Sequence, residues 1–221
     1  GYRFYTTSLS PTQNFGLTVP INLIVFTIGE FSCGTIRNKV IAGYKKSQIY
    51  FSLLLIGLIF TFSLMIVYVG LSTAIASALG GFDAYGETMG GLMNPTFLWQ
   101  YLCMGFAVYV FIVSLAVFVS TTIRGIGGSL PIVIIFIMML YLVGLILSIS
   151  TIIDGEGISD VVNAAFWINP LQAYGTFGLG LPIAKLEFTN SQFAGCIITP
   201  IYWAIIFGVL GLVVFNRKDI K

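Results

Sequence analysis

Histidine is absent from the 221-residue chain, and charge is scarce: ten basic and eight acidic residues make up 8% of it. Without imidazole there is no ordinary general base and no triad built on one, and the commonest metal ligand is missing. The three cysteines, Cys33, Cys103 and Cys196, lie far apart and form no CxxC pair, so neither a zinc site nor a redox motif is supported. They read as thiols acting as small apolar groups. No Gly-x-x-x-x-Gly-Lys-Ser/Thr string occurs, which removes the usual nucleotide cradle. Gly125-Ile126-Gly127-Gly128-Ser129 shares only its glycine content with such a loop and reads as a tight turn. HExxH, GxSxG and paired membrane aspartates are also missing, so an intramembrane protease is disfavoured. The chain reads as a non-enzyme, with no metal and no cofactor of its own, and nothing in it points to nucleic acid.

What is abundant is apolar surface. Hydrophobic residues make up 57% of the chain. A soluble domain carries about 25% charged residues, and this chain has too few to cover a water-facing surface. The fold class is therefore all-α, a polytopic helical membrane protein forming one transmembrane domain over 1–221. A helical crossing needs roughly 20 apolar residues, and five runs supply them, at about 15–33, 49–79, 97–121, 125–153 and 193–215. Their length argues for helix over strand, and none alternates as a membrane barrel strand does. Pro20 falls in the first turns of the first run, and Pro200 predicts a kink in the fifth. The polar segment 154–192 predicts short helices lying on the outer membrane face, because Val161, Val162, Ala165 and Phe166 recur at helical spacing. Within that segment Asn169-Pro170 and the cluster Gly175, Gly178, Gly180 and Pro182 read as turns.

Orientation follows from the basic residues. Arg37, Lys39, Lys45, Lys46, Arg124, Arg217, Lys218 and Lys221 fall on one side, eight of the ten. Arg3 and Lys185 fall on the other, with six of the eight acids: Asp83, Glu87, Asp154, Glu156, Asp160 and Glu187. The basic side is expected to be cytoplasmic, and with it the carboxyl terminus and the connection at 34–48. Gly1 is then outside, and one further amino-terminal helix would give six spans with both ends inside. Glu30 is the lone acid within an expected span. A charge at that depth calls for a partner, and Arg37 or Arg124 is the expected one. Gly70, Ala74 and Ala78 repeat every four positions, the pattern that lets helices approach closely, within the bundle or in a dimer.

Half of the basic residues of the inner side cluster in one stretch. Glu30, the string Gly34-Thr35-Ile36-Arg37-Asn38-Lys39, then Gly43, Lys46 and Ile49-Tyr50 leading into a long span, resemble the permease of bacterial type-2 ATP-binding-cassette (ABC) transporters. Ser120-Thr121-Thr122-Ile123-Arg124 before a glycine turn and the closing Phe215-Asn216-Arg217-Lys218-Asp219-Ile220-Lys221 echo the same family. The resemblance implies five of that family's six spans, with the first helix and its elbow missing. It implies a coupling helix over Thr35–Lys46 that docks on a separate ABC ATPase subunit, present in two copies and holding ATP and Mg. Thr35, Ile36, Arg37, Lys39, Val40, Ile41, Tyr44, Lys45 and Lys46 are the expected interface, with Ile36, Val40, Ile41 and Tyr44 on one apolar face. A second permease chain, identical or not, completes the path through a bacterial cytoplasmic membrane. The near absence of charge in the spans favours an amphiphilic cargo, such as a hydrophobic peptide, a lipid-like compound or a drug. The alternatives are a stand-alone channel or secondary transporter, a non-transporting protein giving self-protection against a peptide, and a basic loop that merely rests on anionic lipid.

Overall fold

A computed structural model describes residues 5, 6, 8–81, 95–123, 125–154, 159–178 and 189–218. They form eight α-helices and no strand: α1 Asn14–Ser32, α2 Thr35–Ile41, α3 Lys46–Gly80, α4 Pro95–Ile123, α5 Ile126–Asp154, α6 Ser159–Ala165, α7 Gln172–Gly178 and α8 Asn190–Arg217. Four stretches are long and apolar enough to cross a membrane: Lys46–Gly80, Trp99–Ile123, Ile126–Ser150 and Asn190–Arg217. A fifth is added if α1 and α2, bent by 53° at their junction, count as one. The protein is therefore a helical membrane protein. α3, with 35 residues, is about 52 Å long at 1.5 Å per residue, well beyond the ~30 Å of a hydrocarbon core. α8 continues through Pro200 as unbroken helix.

The bundle is built around α4. From Tyr101 to Thr121 that helix is almost entirely buried, packed by α1, α3, α5 and, most extensively, α8. Its hydroxyls turn back on their own helix. Ser120 donates to the Val117 carbonyl at 3.1 Å and Thr121 to the same oxygen at 2.8 Å, so they enter the apolar interior without orphaned groups. Phe207 of α8 sits at the meeting point of three helices. Its ring centroid is 6.1 Å from Phe111 and 5.6 Å from Phe118 on α4, and 6.0 Å from Phe136 on α5. Tilted and edge-on pairs of this kind add to the burial of the rings.

The segment between α5 and α8 departs from expectation. It does not lie on the end of the bundle but folds into it. Asn169 Nδ2 donates to the Leu140 carbonyl at 2.9 Å, and Leu140 is fourteen residues before the end of α5, about 21 Å along the helix. Trp203 Nε1 donates to the Ile168 carbonyl at 2.9 Å, and Trp203 is thirteen residues into α8, again about 20 Å. Two independent rulers thus place the α6–α7 turn near mid-length of α5 and α8. A turn at membrane depth needs its backbone groups satisfied by protein, and side chains of the bundle and of the turn itself take up several of them. Thr199 Oγ1 donates to the Phe166 carbonyl at 2.9 Å, and Asn169 Oδ1 accepts from the Leu171 amide at 3.0 Å. The Asn169 and Gln172 side-chain amides hold α5, with Gln172 Nε2 3.3 Å from Ser148 Oγ.

Gly175 accordingly lies inside α7, buried against α5, and is not a surface turn; Gly180 and Pro182 fall outside the described residues. A Cβ at Gly175 would lie 2.4 Å from the carbonyl carbon of Gly144, and one at Gly195 of α8 would lie 3.0 Å from the Phe166 oxygen. Glycine on both flanks lets the α6–α7 hairpin sit backbone to backbone between two helices. The segment before α1 reaches the same interior. Tyr101 Oη donates to the Thr6 carbonyl at 2.9 Å and Tyr109 Oη to the Leu9 carbonyl at 3.3 Å. Leu9 is fully buried, and the Tyr101 and Tyr174 rings meet at 5.6 Å.

Candidate functional site

The stretch singled out by its basic residues folds as α2 and its two flanking turns, at the opposite end of the bundle from the start of α6. Gly34 takes φ 71°, in the left-handed region that glycine enters freely, and both closes α1 and opens α2. Seven residues are too few to hold a helix by propensity, so tertiary contacts hold this one. Ile36 is 0% exposed and points into the chain's own core, and Val40 packs partly against the same core. Lys39 Nζ donates to Glu30 Oε2 at 3.0 Å across the bend.

The far end of α2 closes in a Schellman motif. The Tyr44 amide donates to the Lys39 carbonyl and the Gly43 amide to the Val40 carbonyl, both at 3.1 Å, with Gly43 at φ 90°. This turn corrects the expected apolar face. Ile36, Val40 and Tyr44 fall on one side only if the helix continues to Tyr44. It ends at Ile41, and the turn at Gly43 carries Tyr44 outward. Ile41 is 73% exposed and Tyr44 59%, and they form the outer surface with exposed Arg37, Asn38 and Lys45. Thr35 is half-buried at the first turn. Ile36 and Val40 belong to the inner face.

Two of the expected interface lysines are engaged within the chain. Lys39 neutralises Glu30. Lys46 Nζ, at the first residue of α3, donates to the carbonyls of Asn216 at 3.2 Å and Lys218 at 2.9 Å. It thereby caps the carboxyl end of α8, where the helix dipole favours a cation. Lys218 Nζ in turn donates to the Thr122 carbonyl at the end of α4. Below these polar ties the rings of Tyr50, Phe215 and Phe31 meet in tilted and edge-on pairs, with Phe215 5.8 Å from Tyr50 and 6.1 Å from Phe31. The ends of α1, α3, α4 and α8 are thus knit around α2. Glu30 takes Lys39 as its partner in place of Arg37, which is exposed; Arg124 lies outside the described residues. Sequence spacing could have suggested the Glu30–Lys39 pair only with the bend at Gly34 already in place.

The arrangement offers no reactive constellation. Among the described residues no group of three or more cysteines and carboxylates is placed to hold a metal ion. What it offers is a surface: a short braced helix with two exposed apolar side chains, Ile41 and Tyr44, flanked by Arg37 and Lys45. The chain matches no protein-family model, no curated protein and no solved structure.

Proposed function

We propose that this chain is the permease subunit of an ABC exporter, and that α2 with its following turn docks on the ATPase. The observation that carries the reading is the outward display of Ile41 and Tyr44 at the basic end of the bundle, on the very stretch whose Gly34–Lys39 string resembles the type-2 permeases. A loop with no partner but water gains nothing by exposing both side chains. A groove in a partner protein would bury them, and buried aromatic anchors dominate interface energies. Two such chains enclose the path in a bacterial cytoplasmic membrane, with two ATPase subunits on the cytoplasmic side. ATP binding in those subunits draws the α2 helices together and switches the cavity between inward- and outward-facing states as a rigid-body movement. With Glu30 neutralised by Lys39, the described spans present little charge, and the path suits an amphiphilic or hydrophobic cargo.

Two measurements test the assignment. The purified chain alone is expected to bind and hydrolyse no ATP, whereas the chain purified gently from its native membrane carries an ABC ATPase identifiable by mass spectrometry. ATP binding by the isolated chain, or recovery without any ABC ATPase, removes the permease reading. Orientation is checked by thiol labelling. A cysteine at Lys45 or Lys218 is expected to react only after permeabilisation, and one at Asp83 or Glu156 in intact cells. Labelling of Lys45 and Asp83 from the same side overturns the arrangement.

A further inference from the structure

We infer that Glu30 and Lys39 are positioning residues: their ion pair fixes the angle of α2 and so aims the docking surface. The inference rests on the permease reading for its consequence, though not for its geometry. Three observations lead to it. The junction between α1 and α2 turns through 53° at a glycine in the left-handed region, and glycine sets no angle of its own. Something else must fix the bend. Ile36 anchors the first turn of α2 in the core, while Val40 packs only partly against it from the last turn. The directional contact that ties the last turn to α1 is Lys39 Nζ to Glu30 Oε2, nine residues apart in sequence and 3.0 Å apart in space.

Lys39 also does a second thing. Its carbonyl accepts the Tyr44 amide at 3.1 Å, so the residue locked to α1 by its side chain holds Tyr44 by its backbone. Placement of the ion pair is therefore placement of Tyr44. Glu30 and Lys39 are both partly exposed, 21% and 36%, so the pair is accessible to exchange and is a latch on an angle more than a source of overall stability. The carboxylate on α1 and the ammonium on α2 have complementary charges whose order is immaterial to the bend. Reversing both should preserve it.

The test reads the angle directly in the purified full chain. Spin labels are placed at Asn38 and Phe51, both exposed, in a background where Cys33 and Cys103 are replaced by serine. Their distance distribution is measured with Glu30 intact, with Glu30→Gln, with Glu30→Lys, and with Glu30→Lys combined with Lys39→Glu. The expected result is a distribution that broadens in both single variants and narrows to the parental one in the double variant. An unlabelled set measures affinity for the co-purifying ATPase. If the docking-competent angle falls to a tenth of the population, affinity falls ~10-fold, and the double variant recovers it. An unchanged distribution in Glu30→Gln, or no recovery in the double variant, overturns the inference. If the distances respond as expected while no variant, the parent included, holds an ATPase, the positioning role of the pair stands and the permease reading falls.

Discussion

Ile41→Asp and Tyr44→Ala are expected to release the ATPase, each raising the dissociation constant ~30-fold or more. Both side chains stand clear of the bundle, so their loss costs the free chain little. On the proposed docking they would fill the partner's groove, where truncating a buried anchor costs about 2 kcal/mol or more, which is roughly a factor of 30. Arg37 is exposed at the edge of the same surface, and Arg37→Ala is expected to cost about 1 kcal/mol or less. Val40→Asp behaves differently. It sets a charge against the chain's own core, so it lowers heat stability in detergent before it affects docking. A pull-down with the four variants, preceded by size-exclusion and thermal-unfolding checks, separates these effects. If Ile41→Asp and Tyr44→Ala hold the ATPase as the parent does, α2 is not the docking helix. If Arg37→Ala alone abolishes membrane association of a peptide carrying this stretch and no variant affects the ATPase, the segment is a lipid-resting loop.

The long helices were legible in the sequence because their cause is local. An uncharged run of twenty or more residues without strand alternation satisfies its backbone in a membrane as helix, and four of the five runs contain one; the first carries Glu30 and counts as a span only together with α2. Their ends were less legible. α3 begins at Lys46, three residues earlier than the apolar run, because Lys46 caps α8 and so is drawn to the bundle. The apolar face of α2 was misjudged for a similar reason. Periodicity gives Ile36, Val40 and Tyr44 as one stripe, but the Schellman turn at Gly43 ends the helix first. Short helices after α5 were legible from the spacing of Val161, Val162, Ala165 and Phe166, and α6 is one of them, but their insertion between α5 and α8 was not. Asn169, Gln172 and Gly175 are residue types of exposed turns, and composition does not distinguish an amide facing water from one holding a helix carbonyl. The available signal was in the neighbouring spans. Gly144 and Gly195 are small residues in apolar helices, and each marks where another backbone comes close.

That close approach makes Gly175→Ala a single methyl with a large expected cost. The added Cβ would meet the Gly144 carbonyl carbon at 2.4 Å, the Leu145 nitrogen at 2.6 Å and the Gly144 Cα at 2.8 Å, all backbone atoms that no rotamer change can move aside. α7 must therefore back away from α5. Overpacking of this kind typically costs about 1–3 kcal/mol. The retreat also stretches the bonds from Asn169 to the Leu140 carbonyl and from Gln172 to Ser148, and a buried polar group left without its partner costs roughly 1–3 kcal/mol more. Water cannot take over at that depth, so the sum is expected to reach about 3 kcal/mol or above. Gly208→Ala in α8 is the control, because a Cβ there meets nothing within 4 Å. Alanine is the better helix former by about 1 kcal/mol, and this variant is expected to match or exceed the parent. Thermal unfolding of the three proteins in the same detergent decides the matter. A Gly175→Ala protein as heat-stable as Gly208→Ala would mean that α7 does not lie against Gly144, and that the segment after α5 stays on the membrane face as its composition first indicated.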